Sequence, residues 1–170
     1  MWPEKINSLL LRSVSLIGMF MLVLISVTLF TGVITRYVFS YSIPELEVLR
    51  KFSLLWLVFF GSAIAVKEKA HLEIDILSDY LSERGTKIRD AIVYFLTLVG
   101  IVILVFIGVA AFKSGLVRSE LVSIRFLSSQ PSLIYYYSAF LVGSILMVYF
   151  HLLNARGLFF KKHKKEVQSK

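Results

Sequence analysis

Between Arg12 and Arg36 the chain reads SVSLIGMFMLVLISVTLFTGVIT, from Ser13 to Thr35, without one charged side chain. A helix needs about 20 apolar residues to cross the hydrocarbon core of a bilayer, so this stretch alone is long enough to span. It exceeds the roughly 7–15 apolar residues of a cleaved signal peptide, and no small-residue cleavage site precedes Arg36. It therefore reads as an uncleaved anchor. Nor does it alternate as a barrel strand would, since it is apolar on every side.

Two further uncharged runs repeat the pattern. They are Ala91 to Phe112 and the longer Phe126 to Ala155, which Pro131 interrupts. Proline is tolerated in the first turn of a helix, which places the last span at 132–155. The remaining run, Phe52 to Val66, is too short to cross by itself. The preceding Pro44 suits a first helical position, Glu45 and Glu47 suit the positive end of the helix dipole, and Glu47 can pair with Lys51 one turn on. Extended in this way, the second span covers 44–66. The expected fold is an all-α integral membrane protein forming a single domain, with spans near 13–35, 44–66, 91–112 and 132–155.

Composition agrees. Hydrophobic residues make up 57% and charged residues 18%, more apolar surface than a soluble domain of this length can hide. The net charge of +8 could mean nucleic acid, but the cations flank the apolar runs, as membrane-bordering residues do. Thirteen Lys and Arg fall on the side shared by both termini and six on the other. The positive-inside rule then places both termini in the cytoplasm. Residues 156–170 form a basic tail suited to anionic lipid. Nucleic acid is not an expected partner, because nothing aromatic or folded accompanies that tail. Between spans two and three, Ile74, Leu77 and Leu81 share one helical face and Asp75 and Asp79 another. This spacing predicts a short amphipathic cytoplasmic-side helix over 73–81.

The chemistry available inside the membrane is sparse. The apolar runs contain no Asp, Glu, Lys or Arg, and His151 is their only histidine. Ion-coupled carriers normally place acids or broken helices at mid-membrane. The chain therefore does not read as a carrier by itself. A haem site needs facing ligands, and His151 has no histidine opposite it within the spans. With no cysteine in the chain, disulfides, thiolate catalysis and iron–sulfur clusters are excluded. No enzyme activity, metal or cofactor is expected. The small-residue spacings Gly61-xxx-Ala65 and Ala139-xxx-Gly143 would permit close helix approach.

One stretch is more specific. It runs Arg36-Tyr37-Val38-Phe39, then Pro44 and Glu47, then Trp56-Leu57-Val58-Phe59-Phe60-Gly61, then Ala65-Val66-Lys67, and ends on His71 and Asp75. It resembles the small membrane subunit of tripartite ATP-independent periplasmic (TRAP) transporters, the DctQ-like family. Members commonly show Trp and two adjacent acids here; this chain has Glu45 at the Trp position and Val48 after Glu47.

The resemblance implies a four-span scaffold in the bacterial inner membrane. Such a subunit braces a large sodium-coupled elevator subunit and helps dock a periplasmic binding protein that delivers an organic acid, of sialic acid or C4-dicarboxylate type. It implies a surface against the large subunit at Arg36, Tyr37, Phe39, Glu47, Arg50, Lys51, Trp56, Gly61, His71 and Asp75. Ser42, Glu45, Lys113, Arg118 and Arg125 become the expected periplasmic docking surface. The alternative from composition alone is a free-standing four-helix assembly factor or redox-complex subunit.

Overall fold

The computed structural model describes residues 2–68, 83–122 and 130–160. Over these residues it is all-helical, with α1 at Trp2–Tyr37, α2 at Pro44–Glu68, α3 at Glu83–Val117 and α4 at Ile134–Phe160. All four are long and apolar enough to cross a membrane. The expected helix over 73–81, together with His71, Asp75 and Arg125, lies outside the described residues, as does the tail beyond 160.

The helices outrun the apolar runs that announced them. α3 extends from Glu83 to Val117 around the uncharged 91–112. Nothing there forbids helix: flanking Lys, Arg and Glu are good helix formers, and only the hydrocarbon core demands apolar side chains. α1 likewise begins at Trp2, with Pro3 in its first turn. α2 begins at Pro44 itself.

The start of α4 differs from expectation. Pro131 stands outside the helix, and α4 begins at Ile134. The Pro131 carbonyl instead accepts the Glu120 N–H at 2.8 Å, and the Leu133 N–H donates to the Arg118 carbonyl at 3.0 Å. These bonds flank a bridge between Ser119 and Ser132. Ser132 then caps α4, its hydroxyl accepting the Ile134 N–H at 3.3 Å and donating to the Gly115 carbonyl at 2.7 Å. A serine cap satisfies an otherwise orphaned N–H more directly than proline can, so the helix starts after Ser132.

The helices pack as α1 on α2, α2 on α4 and α4 on α3. α2 and α4 are therefore central and α1 and α3 flank them. In lipid the hydrophobic effect does not hold helices together, so close van der Waals approach must. Ala139 is fully buried, and a Cβ added at Gly143 would stand 2.5 Å from the Phe59 Cβ. The Ala139-xxx-Gly143 pair thus lets α4 press onto α2, where Phe59 stacks on Phe140 at 4.6 Å. Gly115 does the same between α3 and the start of α4, where an added Cβ would meet the Ile134 backbone at 3.0 Å. A core of Ala63, Val66, Ile101, Met147 and Phe150 joins α2, α3 and α4 in the half nearer the termini. The outer sides of α1 and α3 expose large apolar side chains such as Phe20, Phe30 and Phe106, as lipid-facing surfaces do.

Candidate functional site

The two interhelix connections at the end remote from the termini carry most of the charged residues singled out by sequence. The first is a short reversal. α1 closes with Val38 N–H to the Ile34 carbonyl at 2.8 Å, and Tyr41 N–H returns to the Thr35 carbonyl at 3.0 Å. Ser40 sits between them at φ 48°, the left-handed geometry that turns the chain out of the helix. Arg36, Tyr37, Val38 and Phe39 are left exposed around this turn, as is Ser42.

Glu47 and Lys51 lie one turn apart on α2, and their side chains pair at 3.2 Å. Lys51 also reaches the connection between α3 and α4, where its Nζ donates to Glu120 Oε1 at 3.1 Å. The three partners are not equivalent. The Glu120 side chain is only 10% exposed, against 47% for Lys51 and 53% for Glu47. Burial of a carboxylate costs free energy that the cation and further hydrogen bonds must offset. Tyr136 is buried nearby on α4; its hydroxyl donates to the Val48 carbonyl at 3.5 Å and neighbours the Glu120 carboxylate. Lys51 thus clasps the α3–α4 connection to α2, and Tyr136 closes the junction from α4.

The other cations here are differently disposed. Arg36, Lys113 and Arg118 are exposed and Arg50 is half-buried. None of them has an acidic partner among the described residues. Glu45 is half-buried and engaged. The predicted residues therefore divide. Glu47, Arg50 and Lys51 share one helix end, Arg36, Tyr37, Phe39 and Ser42 form the adjoining turn, and Lys113 and Arg118 lie at the end of α3. Glu120 was not among the sequence candidates. Its partner is 69 positions away, and the only hint was a lone acid in a segment otherwise carrying Lys113, Arg118 and Arg125.

Trp56 and Gly61 lie deeper on α2. The Trp56 indole N–H is buried without a hydrogen-bond acceptor among the described residues. Its ring meets that of Phe60 nearly at right angles, with centroids 5.0 Å apart. Gly61 is exposed, and a Cβ there would meet nothing within 4 Å. Among the described residues, Gly61 thus makes no close helix approach.

The opposite end is fastened by His151 and Asn154. His151 is buried, stacks on Tyr94 at 4.2 Å and engages the Tyr94 carbonyl through Nε2 at 3.2 Å. Sequence reasoning found no histidine partner for it; the partner is an aromatic ring and a backbone carbonyl on α3. Asn154 Nδ2 donates to the Val66 and Lys67 carbonyls at 2.8 and 3.3 Å, satisfying the last turn of α2. Among the described residues no group of three or more His, Asp or Glu comes together as a metal site.

Residues 25–161 match the family described as tripartite ATP-independent periplasmic transporters, DctQ component. The chain is also similar to a Haemophilus influenzae protein provisionally named a TRAP transporter small permease protein, at 28% identity over 86 residues. That similarity covers 51% of this chain and 51% of the relative, so the match spans about half the length of the relative.

Proposed function

The chain belongs to the DctQ component family of TRAP transporters, and on that premise we propose that it is the scaffold of a transporter rather than its carrier. In this role it braces a large, sodium-coupled membrane subunit that moves like an elevator. It also helps a periplasmic binding protein dock and deliver an organic acid of the sialic acid or C4-dicarboxylate type.

The observation that carries this reading is where charge is found. The uncharged runs cross the middle of the membrane, and the ion-paired residues Glu47, Lys51 and Glu120 gather at one end. A carrier needs polar groups at mid-membrane to replace the hydration of its cargo, whereas a brace needs only packing. The exposed turn at Arg36, Tyr37 and Phe39, the α2 end at Glu47, Arg50 and Lys51, the deeper Trp56 and Gly61, and His71 with Asp75 then belong to the surface facing the large subunit. Ser42, Glu45, Lys113, Arg118 and Arg125 belong to the docking side. The protein resides in the inner membrane with both termini cytoplasmic, and lipid covers the outer sides of α1 and α3.

Two measurements test this. Tagged protein extracted in mild detergent should bring with it a much larger hydrophobic protein. Liposomes holding the isolated chain should show no sodium-driven uptake of organic acids, and uptake should appear when the large subunit and binding protein are added. Uptake by the isolated chain would overturn the proposal. Orientation is tested separately by impermeant thiol labelling of Ser42→Cys and Ser169→Cys. Ser42→Cys should react from outside and Ser169→Cys should not.

A further inference from the structure

We infer that the clasped α3–α4 connection presents an apolar contact centred on Val117 and Leu121, with Arg118 and Lys113 at its edge, that seats an acidic-rimmed patch of the soluble binding protein. This rests on the docking role proposed above and narrows it to one of the two connections at this end.

Three observations carry it. First, Val117 and Leu121 are 88% and 93% exposed, the two most exposed large apolar residues among those described. Second, they stand beyond the bilayer core. The uncharged run ends at Phe112, and the helix from there to Val117 advances the chain by about 7.5 Å, roughly the thickness of one headgroup layer. Acyl chains therefore do not cover Val117 and Leu121, and water alone would leave them a standing cost.

Third, the base of the connection is held in shape. The Lys51–Glu120 pair, the bonds flanking the Ser119–Ser132 bridge and the Ser132 hydroxyl on Gly115 tie residues 115–120 to α2 and to residues 131–133. A fixed shape serves recognition of a folded protein, whereas attraction to anionic headgroups needs only charge and an apolar side. The partner's sign follows from the cations. Arg118 and Lys113 are exposed with no acid on them among the described residues, while the nearby Glu120 is consumed by Lys51. An apolar centre with an unneutralised basic edge complements an apolar patch with an acidic rim.

The test uses the complete membrane complex in nanodiscs of zwitterionic or of mixed anionic lipid. The ligand is the soluble binding protein that drives uptake by that complex. Leu121→Asp and Val117→Asp should each weaken binding by about tenfold or more, the scale expected for a central contact. The loss should be equal in both lipids, with retention of the large subunit unchanged. A photo-crosslinker at Leu121 should capture the binding protein, and one at the lipid-facing Leu96 should not.

Unchanged affinity in both variants, with binding-protein crosslinks persisting elsewhere on this subunit, would overturn the inference and leave the docking role standing. Loss only in anionic nanodiscs would assign the patch to lipid and also overturn it. Absence of crosslinks from any site on this subunit would remove the docking role itself.

Discussion

The unequal burial of the acids around Lys51 separates their expected contributions. At 3.1 Å, two unit charges attract by about 1.3 kcal/mol at the dielectric of water and about 5 kcal/mol at an effective dielectric of 20. Desolvation of Glu120 cancels much of the larger figure, and the half-exposed Lys51 keeps part of its water. The net contribution is then that of a charge-assisted hydrogen bond, about 1.5–3 kcal/mol. The Glu47 pair is as short, at 3.2 Å, but both its side chains are about half exposed, so it is worth about 0–1 kcal/mol.

The perturbation is a double-mutant cycle of Lys51→Met, Glu120→Gln and the two together, with Glu47→Gln alongside. Lys51→Met strands a buried carboxylate and should cost most, about 2–3 kcal/mol, below the full penalty for a wholly buried pair. Glu120→Gln leaves Lys51 an uncharged acceptor and should cost about 1–2 kcal/mol. The double variant should fall short of the sum by about 1–2 kcal/mol, since removing both charges leaves neither stranded. Glu47→Gln should stay within about 0.5 kcal/mol. The assay is graded SDS unfolding of the purified subunit in mixed micelles, followed by tryptophan fluorescence. Contacting residues couple by about 0.5 kcal/mol or more, so a coupling below about 0.5 kcal/mol would refute the assignment of the clasp to Glu120. A Glu47→Gln cost matching that of Lys51→Met would refute it equally.

Other positions follow from the same geometry. Gly143→Ala drives a methyl into Phe59 and should destabilise the subunit by about 1–3 kcal/mol. Gly61→Ala enters open space and should change the same unfolding measurement by less than about 0.5 kcal/mol. His151→Phe keeps a ring on Tyr94 but loses the bond to its carbonyl, for a cost of about 1 kcal/mol; His151→Ala loses both and should cost about 2–4 kcal/mol. Ser132→Ala removes the cap of α4 and its tie to Gly115. It should cost about 1–2 kcal/mol and speed hydrogen exchange at the Ile134 amide.

What the sequence could reveal divides by the range of the interaction. The long uncharged runs, the start of α2 at Pro44 and the Glu47–Lys51 pair are decided within a few residues, and the structure has each of them. Pro131 was legible as a helix boundary but not as a neighbour of the Ser119–Ser132 bridge, because that bridge joins the two sides of a connection. Glu120 and Lys51 pair across 69 positions, and no periodicity joins them. The two small-residue spacings were indistinguishable by pattern. Only the packing order shows that Gly143 meets α2 while Gly61 faces away from every helix described in this chain. The resemblance centred on α2 identified the family, yet it gave no sign that a buried acid between α3 and α4 would hold that end together.

A brace in lipid has a particular difficulty, since its helices gain nothing from hiding apolar surface from one another. Here α2 and α4 are drawn together by small residues along their length, and the polar bonds are kept for the two ends. His151 and Asn154 fasten α4 to α3 and α2 at one end, and Lys51, Glu120 and Tyr136 do so at the other. With these links at the ends, the uncharged runs need carry no charged side chain at mid-membrane that would demand a counter-charge. They also resist splaying, to which helices held only by dispersion would yield. For a subunit proposed to stand still while its neighbour moves across the membrane, stiffness at both ends matters more than depth of packing. Lys51→Met should accordingly lower the uptake rate of the reconstituted transporter more than it weakens binding of the carried acid.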